Sequence, residues 1–152
     1  MSLDERNTTA TAEATEALGE ELAAHLLAGD VVLLLGELAS GKTTLVRGLV
    51  RGLGGEPREV TSPSFVLVQS YHCDRSGIDV LHHVDLYRVA DSAEGLRGLG
   101  LDELMADEKA VVAVEWPGQS LIASIPGPAR VWRLELAQGE SDDTRTVAVT
   151  RS

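Results

Sequence analysis

Val31-Val32-Leu33-Leu34-Leu35-Gly36-Glu37-Leu38-Ala39-Ser40-Gly41-Lys42-Thr43-Thr44 decides how the rest of the chain is read. The five aliphatic residues between Asp30 and Gly36 leave no polar face. They predict a strand buried on both sides, as in a parallel sheet. Gly36 to Thr43 then matches G-x-x-x-x-G-K-[ST]. Lys42 to Leu53 follows as a helix, with Leu45, Val46, Leu49 and Val50 at helical spacing and Gly54-Gly55 as the stop. Strand, glycine-rich loop and helix in that order are the context a phosphate loop requires.

The residue types supply the chemistry. Backbone N–H groups of the loop and of the helix start converge on one anion. Glycines let the backbone approach phosphate oxygens closely. Lys42 is placed to reach the β- and γ-phosphates, and the Thr43 hydroxyl is a hard oxygen ligand suited to Mg²⁺. Gly36, Glu37, Leu38, Ala39, Ser40, Gly41, Lys42, Thr43 and Thr44 are the candidate nucleotide contacts. Lys42 and Lys109 are the chain's only lysines, against eleven arginines, and one of the two stands where the motif demands lysine.

A second carboxylate is needed to hold the metal or orient an attacking water. Ala110 to Val114 is another apolar run and ends in Glu115. His83-Val84-Asp85 closes a strand read over 80–87. Ligands gather at the carboxyl ends of strands in such sheets. Glu115 is therefore the favoured metal-side ligand and Asp85 its partner, a metal contact or a water-orienting group, with the two roles exchangeable. His72, Cys73, His82 and His83 do not have zinc-finger spacing and are read as ordinary strand and loop residues.

Residues 11–28 read as an amphipathic helix with Ala14, Leu18, Leu22 and Leu26 on one face. Residues 1–10 fray or form a short edge strand. Strands are expected at 65–71, 130–137 and 144–150, the last two pairing across Gln138-Gly139. Short helical pieces are expected within the acidic stretch 91–109. The whole is α/β: a P-loop NTPase-like three-layer sandwich, with a mainly parallel central sheet and an antiparallel extension. At 152 residues it is expected to be a single P-loop domain, residues 1–152.

A net charge of −11 argues against direct nucleic-acid binding and against anionic membranes. One cysteine allows no internal disulfide, and the polar, acidic start carries no basic-then-apolar leader. A cytoplasmic protein is the expectation. Aromatic residues make up only 3%, and Phe65, Tyr71, Tyr87 and Trp116 lie in or beside the motif segments, so they are expected to shape the pocket more than the core.

Together these motifs resemble the bacterial TsaE (YjeE) family, the small ATPase of tRNA threonylcarbamoyladenosine biosynthesis. The resemblance runs from about Thr11 to Arg133. It adds Thr61-Ser62-Pro63-Ser64-Phe65, similar to the family's S-P-T-F, His83-Val84-Asp85-Leu86-Tyr87-Arg88 for H-x-D-x-Y-R, and Glu115-Trp116-Pro117 for the start of E-W-P-E. It implies ATP binding and slow, Mg²⁺-dependent hydrolysis. It also implies partnership with the threonylcarbamoyl-transferase subunit and that subunit's non-catalytic relative, with tRNA reached only through them. By the same resemblance, Thr43 and Glu115 would contact Mg²⁺ and Asp85 would serve hydrolysis. Ser62 and Ser64 would form a switch-like loop, Trp116 would lie beside the nucleotide, and Thr15 would lie near the adenine. Three positions depart from the pattern: Ala39 replaces a glycine, Ser64 a threonine and Gly118 the second glutamate. Other readings of the residues are a small P-loop phosphotransferase acting on a metabolite and a nucleotide-dependent binding module with little hydrolysis.

Overall fold

The computed structural model describes residues 5–61 and 67–152. Among them runs one seven-stranded sheet, ordered β1-β7-β6-β2-β5-β4-β3. The strands are β1 (Glu5–Thr9), β2 (Val31–Leu35), β3 (Val68–Arg75), β4 (Ile78–Asp85), β5 (Ala110–Glu115), β6 (Val131–Gln138) and β7 (Arg145–Arg151). The central four, β6-β2-β5-β4, are parallel. Antiparallel pairs β4/β3, β6/β7 and β7/β1 extend both edges. The expected sandwich is thus observed, with extensions on two sides.

The helices are α1 (Ala12–Ala23), α2 (Lys42–Gly52), α3 (Ala93–Leu96), α4 (Leu101–Ala106) and α5 (Gln119–Ser124). β2 shows why the sheet is covered twice. Val32 and Leu34 join α1 and α2 in one core with Leu22, Leu49 and Leu134, while Val31 and Leu33 join Val112, Val114 and Leu121 on the opposite face. Thr11 caps α1 by accepting from the Ala14 amide at 3.0 Å. α1 stops at Ala23, five residues short of the helix end expected at residue 28. The chain turns to let the buried Asp30 carboxylate accept from the Leu27 amide and the Trp132 indole, each at 2.9 Å. Among the described residues no helix is long and apolar enough to cross a membrane.

α1 and α2 cross at glycines. A Cβ on Gly48 would lie 1.9 Å from the Glu16 carbonyl oxygen. Alanine in a helix interior ordinarily gains about 1 kcal/mol over glycine. Here the clash forces the backbones apart, and overpacking of about 1–3 kcal/mol dominates. Gly48→Ala is expected to lower stability in urea unfolding, whereas a gain would show that the helices slide at no cost.

The aromatic expectation needs a correction. Tyr71 is in the core, 4% exposed, and Trp132, outside the motifs, is the bulkiest of the fully buried side chains. Of the four motif aromatics, Tyr87 and Trp116 face the cavity described next. Phe65 lies outside the described residues.

Candidate nucleotide site

β2 ends at Leu35, and the loop reaches α2 through Gly41 in a left-handed conformation, φ 102°. Among the described residues no side chain caps α2, which leaves its first-turn N–H groups open to an incoming anion. A cavity of about 540 Å³ opens there. Leu38, Ala39, Ser40, Gly41, Lys42, Thr43 and Thr44 line one side, with Asp85, Glu115 and Trp116 from the strand ends and Thr15 from α1. Gly36 and Glu37 do not line it. Their carbonyl oxygens accept from Lys42 Nζ at 2.5 and 2.8 Å.

Lys42 is 4% exposed and its Nζ also lies 4.2 Å from the centre of the Trp116 ring. Burial pushes its ammonium below the ordinary value, against the attraction of Glu115, Asp85 and Glu37. Trp116 has φ 58° and packs against Tyr87 with ring centres 4.8 Å apart.

The parallel β4/β5 register sets Asp85 beside Glu115. Burial, helped by the neighbouring Glu115 charge, pushes the Asp85 carboxyl up, while the Tyr87 amide donated to it pulls the other way. Glu115 Oε2 accepts from Thr43 Oγ1 at 3.4 Å and from His83 Nε2 at 2.5 Å. An ionised carboxylate only accepts, which places the proton on Nε2. His83 is fully buried, and its Nδ1 lies 3.5 Å from the Tyr71 hydroxyl. His82 points to the opposite face, between Ser70 Oγ at 2.7 Å and Asp107 Oδ2 at 3.4 Å.

Thr15 is placed at the cavity, but its hydroxyl is taken up by Thr9 at 2.7 Å and the Thr11 carbonyl at 3.2 Å. A Cβ built on Gly41 finds the Thr15 methyl nearest. Ser62 and Ser64 lie outside the described residues. Arg145, Arg88 and Asp143 also line the cavity, and no motif had pointed to them for this role. Of these, only Arg88 lies in a recognised segment, H-x-D-x-Y-R. Arg145 comes from the far end of the chain and had no local signal. His83 stands in that same segment, but its link to Glu115 depends on strand pairing.

Ala39 adopts φ 60°. A left-handed alanine costs roughly 1–2 kcal/mol, so the loop conformation is retained with strain where glycine would have none. Gly118 has a local reason. A Cβ there would meet Asp91 Cγ at 2.4 Å, because Asp91 accepts from the Gln119 and Ser120 amides at 3.1 and 2.8 Å and caps α5. Gly118→Glu is therefore expected to dislodge that cap and lower the thermal midpoint. An unchanged midpoint would mean that Asp91 moves aside freely.

A parallel sheet whose central strand feeds a glycine-rich loop, a buried lysine and an uncapped helix start defines a P-loop NTPase-like protein. Comparison with known proteins narrows this. The family model described as threonylcarbamoyl adenosine biosynthesis protein TsaE matches residues 9–147, and the chain belongs to that family. It is 40% identical over 134 residues to the tRNA threonylcarbamoyladenosine biosynthesis protein TsaE of Streptomyces coelicolor, covering 88% of this chain and 87% of that one. The Bacillus subtilis protein of the same name is 40% identical over 108 residues, 71% of this chain and 63% of its own length. The crystal structure of Bacillus subtilis YdiB superposes with a TM-score of 0.69 at 28% identity, covering 97% of this chain and 84% of that one.

Proposed function

We propose that this protein binds ATP and hydrolyses it slowly to ADP and phosphate. In this reading it supports turnover of the threonylcarbamoyl-transferase complex in tRNA threonylcarbamoyladenosine biosynthesis. Its partners are the transferase subunit and that subunit's non-catalytic relative. It reaches tRNA only through them, and it works in the cytoplasm. Membership of the TsaE family supports the pathway. The observation that carries the nucleotide reading is the cavity where Lys42, Thr43, Asp85 and Glu115 meet the uncapped start of α2.

The roles follow from position. The loop from Gly36 to Thr44 binds the phosphates, with Lys42 turning from its own carbonyl partners toward the phosphate oxygens. Trp116 and Thr15 border the nucleotide. The donor set near Thr43 fits Mg²⁺: a hydroxyl and a carboxylate 3.4 Å apart, both hard oxygens, beside the phosphate loop. Thr43 and Glu115 would hold the ion, which neutralises charge on the phosphates when bound. His83 holds the Glu115 carboxylate in place. Asp85, whose carboxyl burial pushes above its ordinary value, orients the water that attacks the terminal phosphate, and its place beside Glu115 also suits a metal contact. Ser62 and Ser64 are proposed to respond to the terminal phosphate.

The test is ATP hydrolysis by the wild type and Lys42→Ala, with and without the transferase subunits and tRNA. Phosphate release that depends on Lys42 and rises with the partners is expected. Binding without release even with partners present would make this a nucleotide-dependent binding module. Phosphate appearing on a small acceptor would make it a phosphotransferase.

A further inference from the structure

We propose that Arg145 is a positioning residue of the phosphate loop, a pin that holds the strained peptide after Ala39 in the shape the loop needs. The inference rests on the reading that this loop binds nucleotide. Ala39 is left-handed where glycine would be unstrained, so something must offset its tendency to relax. Arg145 does so from the other end of the chain. Its Nη2 donates to the Ala39 carbonyl at 3.1 Å, while Nη1 donates to the Thr144 carbonyl at 2.9 Å and to the Asp142 carbonyl. One guanidinium thus ties the β6–β7 connection to the phosphate loop.

The anchor is rigid and the geometry needs arginine. Arg145 opens β7 and is paired on both sides, with Gln138 of β6 and Thr9 of β1. The planar fork presents donors in fixed directions, which the single ammonium of lysine cannot reproduce. The Ala39–Ser40 peptide is planar and trans, so its C=O and N–H point in opposite directions. Holding the carbonyl toward Arg145 fixes the Ser40 amide toward the Glu37 carbonyl, which it reaches at 3.2 Å. That turn carries the loop into Gly41 and Lys42. The stem of Arg145 closes the same corner, with its Cγ 3.7 Å from where a Gly41 Cβ would stand.

The test is a double-mutant cycle of Arg145→Ala and Ala39→Gly, read by calorimetry with ATP and Mg²⁺. Arg145→Ala is expected to weaken binding about tenfold in the wild-type background, the size of a lost charge-assisted hydrogen bond. With glycine at 39 the loop no longer strains to leave its shape, and the loss is expected to shrink to about twofold or less. Arg145→Lys should behave like Arg145→Ala in both backgrounds. Equal losses with alanine and with glycine would overturn the pin and show that Arg145 touches the nucleotide directly. No loss in either background would overturn it as well. Amide exchange in nucleotide-free protein reads the pin separately: Arg145→Ala should speed exchange at Ser40 about tenfold, and an unchanged rate would sink the proposal. A wild type that binds no nucleotide would instead remove the functional reading, leaving the exchange result to decide on Arg145.

Discussion

Lys42→Ala will weaken ATP binding by at least about a hundredfold, equivalent to about 3 kcal/mol for two charge-assisted hydrogen bonds. The ammonium is already desolvated and held at the mouth of the loop by the Gly36 and Glu37 carbonyls and the Trp116 ring. Moving from two carbonyls to phosphate oxygens exchanges neutral acceptors for anionic ones at little further desolvation cost. That makes the differential large. Because the side chain is read as reaching both β- and γ-phosphates, the loss for ATP should exceed that for ADP. Alanine also frees the two carbonyls that tie the loop to its own lysine. Lys42→Met keeps the stem and removes only the charge, so it isolates that part. Calorimetric affinities for both nucleotides, with Mg²⁺ present, decide the matter. Wild-type affinity in Lys42→Ala would overturn the assignment of this loop as the phosphate site.

What could be read from the chain was what neighbouring residues decide together. Val31 to Leu35 has no polar face, and the structure buries it from both sides. The step from Leu35 through Gly41 to Lys42 needs left-handed backbone at Gly41, and the sequence supplies glycine there. Glu115 ends an apolar strand and Asp85 ends another strand, and the parallel register then places them side by side. The features that escaped reading are those that depend on distant partners. The early end of α1 follows from Asp30 turning to Trp132. The burial of Tyr71 follows from its strand facing the α1–α2 layer, where its hydroxyl lies near His83. α5 is six residues with no side-chain cap of its own, and its start is held by Asp91 from another segment. Arg145 reaches a loop more than a hundred positions away, as the 106-residue separation of the bonded pair records. No local pattern could have marked these.

Glu115→Ala is expected to act on stability and on metal dependence at once, and the two effects can be separated. In the folded chain one oxygen of Glu115 serves both the Thr43 hydroxyl and the fully buried His83 ring. Removing it strands the His83 Nε2–H without an acceptor, which costs about 1–3 kcal/mol in urea unfolding of the nucleotide-free protein. Glu115→Gln retains an acceptor oxygen of the same reach and removes the charge. It should therefore keep near wild-type stability while losing the gain in ATP affinity that Mg²⁺ brings. Asp85→Asn provides the contrast, since Asp85 accepts only the Tyr87 amide among the described hydrogen bonds and asparagine can still do so. It should keep Mg²⁺-dependent affinity while single-turnover hydrolysis falls about a hundredfold, the lower range for loss of a proton-transfer or water-orienting group. If Glu115→Gln retains the Mg²⁺ effect and Asp85→Asn loses it, the two acids exchange roles. If neither variant alters it, the metal is not held at the ends of β4 and β5. Stability alone cannot distinguish these cases, because His83 needs the Glu115 oxygen whether or not a metal is ever bound there.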